Sequence, residues 1–424
     1  MKSLAELIAT LPSEDLVCIT PGKRVRRREL LLSAMHLREN GAALADPLVS
    51  GYDVTSALER MIALDGYASA LFLVPADADE RVQMQVRSLA NRVTMLEPGG
   101  ETQWVMATSG TTGTPKLVSH NLRSLTRSLK INSQIGSQIR WALLYDPCRF
   151  AGLQVTLQAC ISGSTLLVPG SKDNEEIIDF LQRENCTSAS ATPSMWRKLL
   201  SATADKKLNL QQVTLGGEIA DQKTLQRLRL RFPEAKITHI YASTEAGVGF
   251  SVKDGLEGFP SEYLEQLPGS NVELKIAAGG LLLIRGANFS QSYVSHPQSL
   301  MNQSGFIDTG DLVELRGSRV FFLGRANGSI NVGGQKVMPE EVEAVLRGSQ
   351  DIIDARVYGK PSPVLGSVVV AEVVPLQGCD DVELKKQLQA LCLRRLEAFK
   401  RPAVIRIVSD IELTGAGKMK RIAK

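Results

Sequence analysis

The sequence of 424 residues contains no Cys-x-x-Cys pair. Its six cysteines, Cys18, Cys148, Cys160, Cys186, Cys379 and Cys392, are scattered, and its four histidines do not fall at metal-ligand spacing. Neither a zinc site nor a disulfide framework is therefore expected. Long apolar runs are lacking too, since none approaches the roughly 20 residues that span a bilayer as a helix. Residues 1–16 interrupt their apolar positions with Glu6, Ser13, Glu14 and Asp15, unlike the continuous apolar stretch of a secretory signal. Nor is charge of one sign concentrated. The net charge is +4, and the one local excess, Lys23, Arg24, Arg26, Arg27 and Arg28, reads as a solvated turn before a helix rather than a nucleic-acid or membrane patch. Reduced thiols without an export signal predict a cytoplasmic chain with no nucleic-acid partner and no membrane span.

What is present is the composition of a globular protein, 43% apolar and 22% charged, long enough for two or three domains. Up to about residue 100 the pattern is mixed, with a helix predicted over 54–64 and a buried strand over 69–74. A strand over 104–107 runs into a Ser/Thr/Gly-rich turn, and an amphipathic helix is expected from about Asn121. Strand, loop, helix is an order that handles phosphate at a helix N-terminus. Strands at 142–145, 165–168, 188–191, 212–215 and 236–240 then alternate with helices at 153–162, 174–184, 193–202 and 221–232. That alternation predicts an α/β body, a parallel sheet covered by helices on both faces.

Close-spaced strands at 272–276, 280–284 and 320–323 predict an antiparallel β element after the α/β body. Beyond the polar stretch 324–328 come a helix over 339–347, strands near 353–358 and 367–374, a helix over 381–396 and a last strand near 403–408. The fold class is thus α/β, with a large multi-part N-terminal domain over 1–326 and a small mobile α+β C-terminal domain over 327–424.

The strongest local signal is Thr108, Ser109, Gly110, Thr111, Thr112, Gly113, Thr114, Pro115, Lys116. Hydroxyls and glycine N–H groups wrap phosphate oxygens, and the closing lysine supplies positive charge. The spacing is not that of a Walker A loop, because Gly110 and Gly113 stand too close together and Pro115 precedes Lys116.

This segment closely resembles the signature loop of the adenylate-forming superfamily, which holds acyl-CoA synthetases, aryl-acid ligases, nonribosomal-peptide adenylation domains and luciferases. The resemblance continues in order from Thr108 to Lys418, about three quarters of the chain. Gly216, Gly217 and Glu218 look like the family's turn beside adenine. Tyr241, Ala242, Ser243, Thr244 and Glu245 resemble its Tyr-Gly-x-Thr-Glu segment, with Ala242 in place of the usual glycine. The resemblance implies that Tyr241 stacks on adenine, Thr244 contacts the α-phosphate and Glu245 holds Mg²⁺. Thr309, Gly310, Asp311 and Leu312 match the segment whose aspartate accepts from the ribose hydroxyls, and Gly324 and Arg325 match the pair that ends the large domain.

By the same resemblance the hinge falls at Asn327, and 330–337 is a loop that turns toward the site for thioester formation, in a form close to that of aryl-acid-activating members. Thr414, Gly415, Ala416, Gly417 and Lys418 match the motif carrying the catalytic lysine, although Glu412 stands where proline is usual. The acid pocket is expected around Tyr145, Arg149, Phe150 and the glycines Gly247 and Gly249, with Arg149 either facing a second substrate carboxylate or held in a surface ion pair.

The implied activity is ATP-dependent conversion of a carboxylic acid to acyl- or aryl-AMP with release of pyrophosphate, then thioester formation with CoA. The large domain would bind nucleotide and acid, and the small one would act as a lid carrying Lys418. Two other readings stand beside it: transfer to the phosphopantetheine of a carrier protein, and a non-catalytic nucleotide-binding regulator. Only about 107 residues precede the signature loop, so a shortened N-terminal region is also expected.

Overall fold

The computed structural model describes residues 2–97, 99–108, 116–131, 133–202, 206–286, 292–294 and 296–421. An eight-stranded sheet runs in the order Gly247–Val252, Lys236–Ser243, Gln212–Gly216, Ser188–Ala191, Arg140–Leu143, Thr165–Leu167, Leu16–Thr20, Lys23–Arg26. Its interior pairings are parallel, and only the outermost strand at each edge is antiparallel.

Adjacent residues of a strand point to opposite faces, and here both faces are apolar. Cys18, Trp141, Leu143 and Leu166 enter one core with the helices Arg27–Glu39, Val54–Leu64 and Phe150–Ser162. Their neighbours Ile19, Ala142 and Leu167 enter a second core with the helices Asn174–Arg183, Pro193–Ala202 and Gln222–Arg231. The sheet is therefore covered on both sides, as the near-continuous apolar strands predict.

A six-stranded sheet includes Leu48–Ser50, Ala70–Val74, Gln103–Ala107 and Leu117–His120. A five-stranded antiparallel sheet follows the α/β body and is built from Phe259–Pro260, Arg319–Arg325, Ile307–Arg316, Leu281–Arg285 and Glu273–Ile276. The chain after the turn Ala326–Gly328 folds around its own core, in which Ile330, Val342, Leu346, Val357, Val373, Leu388 and Ile405 are buried.

Two local expectations are corrected. The expected helix does start at Asn121, which caps it, but the signature loop does not lead directly into it. Residues Leu117–His120 return as a strand antiparallel to Gln103–Ala107, and the helix after them, Leu122–Thr126, has only five residues. The strand pair thus sets the start of that helix apart from the signature loop. The basic run, in turn, is an edge strand, Lys23–Arg26, followed at once by the helix Arg27–Glu39. Arg27 is 0% exposed and pairs with Asp15 at 3.6 Å. It is a structural cation, while its neighbours Arg24, Arg26 and Arg28 remain exposed.

All six cysteines are free thiols, and five of them, all but Cys379, are buried. Burial pushes the thiols of Cys18, Cys160 and Cys186 up to about 12. Since the thiolate is the reactive form, the five buried thiols are expected to resist a neutral-pH thiol reagent until the protein is unfolded. Counting modified cysteines with and without denaturant checks this. Among the described residues no helix is long and apolar enough to cross a membrane.

Candidate active site

The expected site residues lie on strand ends and turns of the large sheet, the hairpin sheet and the antiparallel sheet. The C-terminal segment closes over them. Thr108 donates its N–H to the Lys116 carbonyl at 2.8 Å, pinching the neck of the signature hairpin. Ser109, Gly110, Thr111, Thr112 and Gly113 lie outside the described residues.

Gly216 ends the strand Gln212–Gly216, and Gly217 turns away from it with φ +81°. A Cβ at Gly217 would lie 3.1 Å from Lys418 Cε. Glycine is needed there twice over, for the left-handed backbone and for the approach of the lysine stem. Gly217→Ala is expected to lower adenylate formation about 10–100-fold, since left-handed strain of order 1–3 kcal/mol adds to displacement of the lysine. Pyrophosphate exchange, run beside a thermal melt, separates that local effect from loss of fold.

Lys418 reaches this turn from a tight loop. Thr414 donates its N–H to the Lys418 carbonyl at 2.7 Å, and Gly417 donates to the Thr414 carbonyl at 2.8 Å. Two contacts seat the loop on the large body. The Thr192 hydroxyl donates to the Gly417 carbonyl. The Glu218 carboxylate accepts from the Ser194 N–H at 3.0 Å through one oxygen and from the Met419 N–H at 2.7 Å through the other. Burial holds the Lys418 pKa below the ordinary lysine range, against the pull of Glu218 and Asp311 and with the push of Arg325 and Arg149.

Asp311 sits in the strand Ile307–Arg316, opposite Arg325 in the antiparallel register. Its carboxylate accepts from the Tyr241 hydroxyl at 2.6 Å and lies 3.5 Å from Arg325 Nε. Arg325 also donates to the Thr309 carbonyl at 2.7 Å. Gly310 has φ +72°, and a Cβ there would stand 3.0 Å from Arg325 Nη2, so this glycine admits the guanidinium. Burial raises the Asp311 pKa against the opposing effect of Arg325 and Tyr241.

The Tyr241 ring lies nearly parallel to Phe250 and Phe322, at 5.1 and 5.2 Å between centroids. The resemblance pointed to adenine stacking for Tyr241. The structure adds that the ring packs against two protein rings and its hydroxyl orients Asp311.

Thr244 and Glu245 occupy the turn between Lys236–Ser243 and Gly247–Val252, after a bulge at Tyr241 and Ala242. Ser243 Oγ accepts from the Ala246 N–H at 3.0 Å and tightens this turn. The Thr244 carbonyl is 2.6 Å from His120 Nε2, at the end of the signature hairpin. Burial lowers the His120 pKa and favours the neutral ring. The Glu245 carboxylate has no hydrogen-bond or ion-pair partner among the described residues. A single uncommitted hard carboxylate suits Mg²⁺, which takes one or two protein carboxylates together with substrate phosphates.

Beside this turn, a Cβ at Gly247 would be 3.7 Å from Phe150 Cζ and 3.4 Å from Arg127 Nη2. Arg149 is in an ion pair with Asp77. Sequence reasoning missed Thr192, Ser194 and the bridging role of Glu218. They belong to the unremarkable Thr192-Pro193 start of a helix and to a turn read as adenine-facing.

Comparison with known proteins shows the family. The AMP-binding enzyme family matches residues 57–294, and the AMP-binding enzyme C-terminal domain matches 341–418. A 2-succinylbenzoate–CoA ligase of Listeria monocytogenes serotype 4b (strain F2365) is 28% identical over 330 residues, 75% of this chain and 68% of that protein. One from Bacillus pumilus (strain SAFR-032) is 27% identical over 404 residues, 87% of this chain and 80% of that protein.

Among solved structures, an anthranilate CoA ligase in complex with anthranoyl-AMP superposes with a TM-score of 0.75 at 16% identity, covering 99% of this chain and 95% of that one. The o-succinylbenzoate CoA synthetase of Bacillus subtilis with its acyl-adenylate intermediate gives 0.69 at 20% identity, covering 99% and 97%. With two family domains matched in the order of the motifs, the chain belongs to the AMP-binding enzyme family, as an enzyme of the AMP-forming acid–thiol ligase type within the adenylate-forming superfamily.

Proposed function

We propose that the protein condenses an aromatic carboxylic acid with ATP to an acyl-adenylate and then transfers the acyl group to CoA, with 2-succinylbenzoate the first acid to test. The observation that carries the reading is the gathering of Gly217, Glu218, Asp311 and Arg325 around Lys418, five residues from four segments of the chain.

In the first half-reaction a carboxylate oxygen attacks the α-phosphorus, and the bond to the departing pyrophosphate breaks. Anion meets anion, so the barrier is dominated by charge. The Lys418 ammonium lies where charge develops between carboxylate and phosphate. Asp311, oriented by Tyr241, and Arg325 hold the ribose, while Gly216 and Gly217 let the backbone approach the flat base. The signature loop with Lys116, and Thr244, hold the phosphates. Mg²⁺, held by Glu245, would neutralise phosphate charge. In the second half-reaction the CoA thiol attacks the acyl carbonyl and AMP leaves with the bonding electron pair, after 327–424 has turned about Asn327 to remove Lys418 and present 330–337.

CoA rather than carrier-bound phosphopantetheine is the acceptor in this reading, supported by the names of the two relatives described above, both CoA ligases. Phe150 and the small residues Gly247 and Gly249 supply the walls of the acid pocket. The test is pyrophosphate release and CoA-thioester formation across aryl, medium-chain and dicarboxylic acids, 2-succinylbenzoate among them. A panel in which no acid releases pyrophosphate above the acid-free rate would refute the reading.

A further inference from the structure

The first half of the helix Pro193–Ala202 holds the C-terminal segment through a series of polar contacts. Just before its start Thr192 holds the Gly417 carbonyl. At its middle Lys198 Nζ pairs with Asp410 at 2.7 Å. Between them stands Arg197, whose side chain is 4% exposed and whose Nε lies 2.9 Å from the Asp354 carboxylate, itself 5% exposed. Arg197 also pairs with Asp221 at 3.3 Å and donates to Ser194 Oγ at 2.8 Å. From the other side Arg347 stands 3.7 Å from Asp221 and 3.4 Å from Asp354.

Two properties of this cluster matter. First, it connects to the lysine loop through a short relay. Arg197 holds the Ser194 hydroxyl, the Ser194 N–H binds Glu218, and Glu218 binds the N–H of Met419, next to Lys418. Second, its charges keep partners on their own side. Arg197 and Asp221 pair within the large body, while Arg347 pairs with Asp354 at 3.4 Å and with Glu343 at 3.7 Å within the C-terminal one. Parting the bodies therefore leaves neither cation without an anion. A buried pair whose separation strands a lone charge would hold the bodies together permanently. This one is built to close and reopen.

We infer that Arg197 is a positioning residue for the first half-reaction: its ion pair with Asp354 latches the C-terminal domain in the orientation that brings Lys418 to the nucleotide, and it must release for thioester formation. The inference rests on the function proposed above. It predicts that the two half-reactions respond differently to the latch, which loss of packing alone does not do.

The test uses the full chain with Arg197→Gln in one body and Asp354→Asn in the other, singly and together. Acid-dependent pyrophosphate exchange is expected to fall about tenfold or more in each single variant, with the double variant little worse than either, as for two ends of one contact. Thioester formation from supplied acyl-adenylate and CoA should stay within about threefold of the parent or rise. Exchange and thioester formation falling by the same factor, or exchange unchanged in both variants, would overturn the latch.

A third readout needs no substrate. The exposed turn Arg325–Gly328 offers trypsin a site, and cleavage there should be several-fold faster in Asp354→Asn than in the parent. Equal cleavage rates also count against the latch. An inactive parent protein with the cleavage difference intact would instead count against the proposed reaction alone.

Discussion

Lys418→Ala is expected to cut acid-dependent pyrophosphate release about 10²–10³-fold, the loss seen when one preorganised group that stabilises transition-state charge is removed. Thioester formation from supplied acyl-adenylate should change little. The asymmetry follows from position. Lys418 lies against Gly217 and within the fields of Asp311 and Arg325, where the first half-reaction would occur, and it has no assigned part in the second. Equal losses in both half-reactions would refute this role.

The same lysine sets the alkaline limb of the pH profile. Burial depresses its pKa, and the depression survives the opposing effect of Glu218. In the proposed reaction the protonated form acts. As pH rises through the lowered value the ammonium is lost, so kcat/KM for adenylate formation declines at lower pH than an ordinary lysine near 10.4 would allow. Lys418→Arg should keep a small fraction of the activity and lack that limb, because a guanidinium stays charged. An unchanged limb in this variant would assign it to another group.

Asp311→Ala should raise the KM for ATP about 10–100-fold, with a smaller effect on kcat. A hydrogen bond to a charged group is worth about 1.5–3 kcal/mol, and the carboxylate is held by Tyr241 at 2.6 Å and flanked by Arg325 at 3.5 Å. Its loss also leaves the part-buried Tyr241 hydroxyl without its carboxylate acceptor. Tyr241→Phe, which keeps the carboxylate and removes only its orienting bond, should cost less, about 3–10-fold, because part of that bond's worth is regained when water solvates the freed carboxylate oxygen. ATP titrations of pyrophosphate exchange measure both. A Tyr241→Phe loss equal to that of Asp311→Ala would place the tyrosine in direct contact with nucleotide.

Much of the secondary structure was legible because its signals are local. The helix Pro339–Arg347 has proline in its first turn, Glu340 and Glu341 beside it, and Arg347 at the end, each favoured where it stands by geometry or by the helix dipole. The helix Val54–Leu64 begins at Asp53, which accepts from the Thr55 and Ser56 N–H groups. The strands at 188–191 and 212–216 are short runs of small or apolar residues between helices.

Less legible was the return strand Leu117–His120, four residues paired with Gln103–Ala107 on one side and with Ser292–Tyr293 on the other. The length of Ile307–Arg316 was hidden as well, because Asp308, Gly310 and Asp311 inside it look like a turn. Their pairing partners lie elsewhere in the chain and leave no mark on local periodicity.

The sequence by itself determined the family, the order of motifs and the residue types at the nucleotide site, since these are short strings whose meaning lies in adjacent atoms. Only the tertiary structure decided what Glu218, Thr192 and Arg197 do. Glu218 meets Met419 201 residues away, and Thr192 meets Gly417 225 residues away. Arg197 finds Asp354 across the two bodies. A lone carboxylate, hydroxyl or guanidinium in a sequence is most often a solvated surface group. It becomes a bridge or a latch only when folding buries it against a partner of opposite polarity.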